Sequence, residues 1–369
     1  MSANDPDGAA EKAGTVAKSR PGGRRKAEVG WFAEHRVLIA VLMLATVLLA
    51  SCGGWAVYLN GKIANVPRVA LNLNEKQRPK HVGEVGAMNI LLAGADSGGG
   101  PSIAKSVAKG HWDPGSHRSD TIMVLHITAD HKKAYLVSVP RDTYVKIEGL
   151  GHDKINAAFS FGGPSLYVKT MEEFTGLRMD HLAIIDWAGF KELTTALGGI
   201  RVYIPHDVYD TSQRYQWHKG WQTLEGKVAL KYVRMRHGLQ NGDFDRIRRQ
   251  QNFLRQTMHK MLSNGTTNNP IRLTRAVEAI TRYLTVDSDF SNGQIRDLAM
   301  SLRKLDQKDV TFVTVPMLRY GTSPDGQSIV VPDRKQTRAL FDAVAHDDIQ
   351  RYIHQYGREG VLGRQSTVH

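Results

Sequence analysis

Residues Val37 to Leu59 read VLIAVLMLATVLLASCGGWAVYL, 23 residues without a charged side chain, lying between Arg36 and Lys62. Such a run is long enough to cross the ~30 Å hydrocarbon core of a bilayer as one helix, and the rest of the chain must be arranged around it. Lys18, Arg20, Arg24, Arg25, Lys26 and Arg36 precede it; Lys62, Arg68, Lys76 and Arg78 follow. That bias predicts a cytoplasmic N-terminus, with residues 60–369 outside the cell membrane. The single cysteine, Cys52, ends Leu49-Ala50-Ser51-Cys52, which looks like a lipoprotein cleavage box. A leading tail of 36 residues, and an apolar run that continues to Leu59, favour a retained signal anchor over lipidation at Cys52. One cysteine also rules out a disulfide within the chain.

Beyond the anchor there is material for a sizeable domain: 369 residues in all, 41% hydrophobic. The net charge is +13, and residues 1–36 hold nearly as many acids as bases, so the excess belongs to the exported part. It calls for an anionic partner such as phosphate, nucleic acid, an acidic glycan or a membrane surface. Residues 1–36 read as a disordered cytoplasmic tail, and the polar stretch 60–85 as a linker.

From Met88 the texture changes. Asn89 to Gly94 is a short apolar run ending in glycine, the pattern of a buried strand. Thr121 to Thr128 and Lys133 to Val139 predict a hairpin. Ala183 to Asp186 and Gly199 to Ile204 predict further strands around a helix, Trp187 to Leu197, that Gly198 closes. Asp243 to Asn264 is the clearest amphipathic helix, with Phe244, Ile247, Leu254, Met258 and Met261 at helical spacing. Two more helical stretches and a strand at Val310 to Val315 follow. Strands alternating with helices predict an α/β fold, an α/β/α sandwich around a central mixed sheet, preceded by one transmembrane helix. Residues 263–350 are expected to complete or extend the domain, and 351–369 to form a flexible tail.

Several polar clusters could carry chemistry. Arg141, Arg234, Arg236 and Arg246 suit a diphosphate, because a guanidinium fork grips phosphate oxygens two at a time. Asp96 and Asp120, at strand ends, suit a hard divalent cation. Asp243, Arg246 and Gln250 are spaced i, i+3, i+7 and share a helix face that adjoins Arg249. Each has an ordinary reading as well: arginines solvated or paired with carboxylates, aspartates as turn or cap residues. His111, His117, His126, His131 and His152 fit no compact zinc spacing. Trp112, Trp187, Trp217 and Trp221 suit either a glycan or lipid groove or the core.

Eight blocks occur in order: Asn89 to Asp96, Arg118 to Thr121, Ser138 to Thr143, Lys154 to Phe159, Ala196 to Ile200, Leu224 to Gly226, Ala229 to Arg236 and Gly242 to Gln251. Together they resemble the LytR-CpsA-Psr domain, over roughly residues 86–262. The resemblance implies an enzyme that moves an anionic glycopolymer, such as teichoic acid, from a polyprenyl diphosphate to a peptidoglycan hydroxyl, with Mg2+ as cofactor. It implies that Asp96 and Asp120 hold the metal. Arg141, Arg234, Arg236 and Arg246 would clamp the diphosphate, assisted by Gln250, and Asp243 would either position Arg246 or draw the acceptor proton. The isoprenoid tail would enter an apolar tunnel between sheet and helices. One departure is the segment Gly98 to His117 between the two metal aspartates, long for the family and rich in glycine; it is expected to act as a lid or acceptor-recognition loop. Two alternatives use the same residues: a non-catalytic, membrane-tethered binder of anionic wall polymer, and a hydrolase that cleaves the polyprenyl diphosphate. No groove-reading motif is present, and a nucleic-acid partner is not expected.

Overall fold

The computed structural model describes residues 53–96, 102–108, 112–235 and 243–363. Residues 53–64 are helical (α1), and the fold that carries the chemistry lies within the unit Val57–His369. In chain order the strands are β1 (Arg68–Val69), β2 (Met88–Asp96), β3 (Arg118–Ile127), β4 (Ala134–Val139), β5 (Tyr144–Ile147), β6 (Gly151–Lys154), β7 (His181–Asp186) and β8 (Ile200–Ile204). Then come β9 (Val208–Asp210), β10 (Tyr215–Trp217), β11 (Gly220–Leu224), β12 (Leu284–Asp287), β13 (Val310–Thr314), β14 (Met317–Thr322) and β15 (Ser328–Pro332). The helices after α1 are α2 (Ile103–Ala108), α3 (Ile155–Thr175), α4 (Trp187–Ala196), α5 (Gly226–Arg234), α6 (Asp243–Leu262), α7 (Asn264–Thr267), α8 (Pro270–Tyr283), α9 (Asn292–Arg303), α10 (Arg334–Ala345) and α11 (Ile349–Tyr356).

The central sheet is mixed, in the order β1-β12-β7-β2-β3-β4-β13, with β7 parallel to β2 and β3 antiparallel to both β2 and β4. Strand alternation sends Leu91, Ala93 and Ala95 of β2 to one face, against Phe159 and Tyr167 of α3 and Leu340 and Phe341 of α10. Ile90 and Leu92 point the other way, toward Leu254 and Met258 of α6 and Leu298 and Leu302 of α9. Burial on both faces makes this an α/β/α sandwich. A second apolar cluster joins Leu193 of α4, Val202 of β8, Tyr232 of α5, Phe253 of α6 and Ala276 of α8.

Three segments differ from their sequence-based expectation. Residues 60–85, expected as a linker, belong to the domain. Arg68 and Val69 pair with Val286 and Asp287 at one sheet edge, and Leu71 and Leu73 pack on the core. Arg78 reaches the buried Glu172, its Nη2 donating to Oε1 at 2.7 Å, and a second bond from Nη2 goes to the Met179 carbonyl at 2.6 Å. Polar composition hid these contacts, because the anchoring is done by charge. Residues 351–363, expected as part of a flexible tail, are likewise ordered. Tyr352 and Ile353 of α11 are buried, and the strand-like end covers β13 through Thr314 N–H to Gly360 O and Leu362 N–H to Phe312 O, both 2.9 Å.

The third is the segment between Asp96 and Asp120. Its described residues are packed rather than lid-like: Ile103 is in the core, and Ser106 hydrogen-bonds the buried His117 at 2.8 Å. Trp112 explains a feature of α3. Pro164 inside that helix has no N–H to give the carbonyl four residues back, Ser160; the Gly115 N–H at 2.9 Å and the Trp112 indole N–H at 3.1 Å donate to that oxygen instead. The kink falls at Gly163, at φ 69°, and its missing Cβ leaves room for the Trp112 ring.

Among the described residues no helix is long and apolar enough to cross a membrane. The expected span falls mostly on residues 37–52, outside them.

At the end of the sheet away from Asp96, His126 is buried between Asn89 Oδ1 at 2.7 Å and Asp347 Oδ1 at 2.6 Å. Burial pushes its imidazole below the ordinary 6.5, against the pull of Asp347 and Asp180. A depressed histidine favours the neutral folded form, so its contribution to stability is full above pH 6.5 and is lost as pH falls toward the folded value. Urea melts at pH 7 and pH 5 are expected to show the loss, and His126→Gln should flatten it; an equal slope in both proteins would remove this assignment.

Candidate active site

The site forms where β2, β4 and β7 all end, the position at which an α/β sheet opens a crevice. Asp96 closes β2. A bulge then re-aims its neighbour: Gly94 pairs with Thr121 but Ala95 with Ser119, so Asp120 is the extra residue on β3. Arg141 follows β4, and one Nη donates to the Asp120 carboxylate. Beyond β7, Asp186 caps α4 by accepting the Gly189 N–H at 2.8 Å. The cap fixes Trp187 as the first residue of the helix. Burial pushes the Asp186 carboxyl up, against the amide bonds it accepts.

Asp120, Arg141, Trp187, Arg234, Arg246 and Gln250 line one cavity of about 380 Å³, together with Ser212 and Gln213. Arg234, the last residue of α5, donates to Asp96 Oδ2 at 3.2 Å and lies 5.7 Å from the Trp187 ring centroid. Arg246 and Gln250 descend from one face of α6, as their spacing predicts. Gln250 is fixed by donating to the Val233 carbonyl at 3.1 Å. Arg249 turns away: it is wholly buried, donates to Met235 Sδ at 2.8 Å and sits 5.3 Å from the Tyr232 ring. Burial lowers its pKa. Arg236 and the side chain of Asp243 lie outside the described residues.

Sequence reasoning missed Ser212 and Gln213. They occupy the turn between β9 and β10, folded around the buried Asp210, which accepts from Ser212 Oγ at 2.6 Å and Gln213 Nε2 at 2.8 Å. Burial alone would raise the Asp210 carboxyl; these bonds outweigh it and hold it below the usual carboxylate range. The signal was local, an Asp-Thr-Ser-Gln turn. Its direction was not, since Gln213 is aimed by a bond to the Lys231 carbonyl on α5.

Three guanidiniums around this cavity can neutralise a diphosphate and stabilise charge that develops as a phosphoryl group moves. The two carboxylates provide hard oxygens at one sheet end, each now held by an arginine. A Mg2+ ion is ordinarily held by one or two carboxylates, with water and substrate phosphate completing its shell, so this donor set fits it. No cluster of three His, Cys, Asp or Glu side chains suited to a metal occurs among the described residues.

Comparison with known proteins places the chain. The model of the LytR_cpsA_psr family matches residues 58–346, wider at both ends than the motif blocks. "Cell wall biosynthesis protein LcpA" of Corynebacterium glutamicum is 31% identical over 349 residues, 84% of this chain. "Probable cell wall biosynthesis protein LcpB" of the same organism is 34% identical over 275 residues, 74% of this chain. In each case the match spans 65% of the relative's own length. The structure of TagT bound to LIIa-WTA superposes with a TM-score of 0.58 at 24% identity, over 75% of this chain and 98% of that one; TagT is a B. subtilis protein, and the likeness is one of fold. The chain belongs to the LytR-CpsA-Psr family.

Proposed function

We propose that this chain is a membrane-anchored phosphotransferase that moves a glycopolymer from a polyprenyl diphosphate onto a peptidoglycan hydroxyl, leaving a phosphodiester. The observation that carries it is the convergence of Asp120 of β3, Arg141 after β4, Arg234 of α5, and Arg246 and Gln250 of α6 on one cavity. The likeness to a fold solved with LIIa-WTA supports a glycopolymer as cargo. Residues 37–59 would hold the chain in the membrane, with the cavity on the outer side.

In this reading Arg141, Arg234 and Arg246 grip the diphosphate oxygens and Gln250 orients them. Arg236 joins the clamp on the strength of the family motif. The acceptor oxygen bonds to the glycan-bearing phosphorus, the bond from that phosphorus to the bridging oxygen breaks, and polyprenyl phosphate leaves with the electron pair. Asp243 receives the hydroxyl proton. Mg2+, held by Asp96 and Asp120, would supply positive charge to the leaving phosphate.

The test is turnover by the purified full chain, with a polyprenyl diphosphate glycan, a peptidoglycan oligomer and magnesium, read by mass spectrometry. Glycan joined to the oligomer through phosphate is the expected product. Free glycan phosphate alone would instead establish a hydrolase, and donor bound without product a binder. Asp96→Ala is expected to abolish the magnesium dependence of turnover and any rise of melting temperature with added magnesium; an unchanged dependence would remove Asp96 from the metal.

A further inference from the structure

Away from the cavity, α4, α5 and α8 enclose an open groove of about 530 Å³ whose lining includes Lys191, Lys227, Arg275 and Arg282. Its two carboxylates are already engaged. Glu192 takes Arg282 at 3.4 Å and the Tyr283 hydroxyl at 2.6 Å. Glu278 takes Lys62 at 3.4 Å and the Tyr58 hydroxyl. Among the described residues, no ion pair joins Lys191, Lys227 or Arg275 to a carboxylate, so the groove presents net positive charge. Ile271, 63% exposed, stands on the same stripe of α8 as Arg275 and Arg282, at i, i+4 and i+11.

Tyr58 and Lys62 belong to α1, and Tyr58 is within the apolar run that ends at Leu59. The unit Val57–His369 therefore begins directly beside this groove. We infer that the groove rests on anionic phospholipid headgroups of the membrane holding the anchor, and that this contact sets the height of the active site; the inference rests on the proposed anchor. A cationic groove with an apolar side chain at its edge is the composition that binds such a surface.

α5 gives the separation. It begins at Gly226 and Lys227 in the groove and ends at Arg234 in the cavity, about 12 Å along its axis at the α-helical rise; α4 runs from Trp187 in the cavity along the groove wall, Ala188 to Ala196. With the groove on the headgroups, a diphosphate held by Arg234 stands off the headgroup plane by up to about that length.

The experiment uses the full chain in nanodiscs of phosphatidylcholine, alone or mixed with phosphatidylglycerol, with amine acetylation read residue by residue. Lys191 and Lys227 are expected to be modified several-fold more slowly in the anionic discs. Lys132, on the β3–β4 turn, serves as control and should not change. Equal rates in both discs would overturn the headgroup contact. So would equal protection in phosphatidylcholine discs on adding a soluble anionic polymer, which would make the groove a polymer site. A chain that fails to float with the discs overturns the anchor and this contact together, while the turnover assay judges the chemistry separately.

Discussion

Arg141→Ala is expected to lower turnover by about 100- to 1,000-fold, or ~3–4 kcal/mol of transition-state stabilisation, with melting nearly unchanged. The side chain lies at the mouth of the sheet, partly exposed and paired with Asp120, so its removal takes a charge from the cavity without opening the core. Arg141→Lys keeps the charge but not the planar fork, and should recover only part of the rate. A protein that merely bound wall polymer would respond differently: one arginine among several would change affinity slightly. Turnover that survives Arg141→Ala would therefore sink the phosphotransfer mechanism, whatever happened to binding.

The largest effect on stability is expected at Arg78. Its guanidinium holds Glu172, whose side chain is only 3% exposed, and bonds Glu75 at 2.8 Å. Burial alone would lower its pKa; the two carboxylates outweigh burial and hold it raised. Arg78→Ala leaves Glu172 in the interior with the Met179 N–H as its remaining bond, at 2.9 Å. Breaking a buried pair from one side costs about 3–5 kcal/mol, a fall in melting temperature on the order of 10 °C. The double variant Arg78→Met, Glu172→Gln should be less damaged than Arg78→Ala, because no charge is stranded. If the single variant melts within a degree or two of the parent, the pair is not what fastens residues 60–85 to the domain.

Arg78 also shows where reading the sequence stopped. The periodicity of α6, the hairpin of β3 and β4 and the helix from Trp187 are local patterns, each recoverable from spacing. Arg78 and Glu172 are far apart in the chain, and nothing near either one announces the other. The same division runs through the site. Asp120, Arg141, Arg246 and Gln250 were legible because their blocks are ordered like those of a known family. The convergence of these residues depends on a β-bulge and on where β2, β4 and β7 end, neither of which is written in any single block. Ser212 and Gln213 were illegible for a similar reason: a polar turn looks alike whether it faces solvent or a cavity. Trp112 fell in a glycine-rich segment that suggested motion, yet its indole completes a broken helix.

Gly360 to Leu362 have a consequence for how copies behave side by side. β1, at one margin of the sheet, is two residues long, and β13, at the other, is covered by Gly360 to Leu362. Neither margin offers a long row of open peptide groups on which another molecule could build. Wherever copies crowd together, sheet-to-sheet polymerisation is a standing hazard. The closing strap removes that hazard at β13, so shortening the chain by a dozen residues would endanger its solubility before its chemistry.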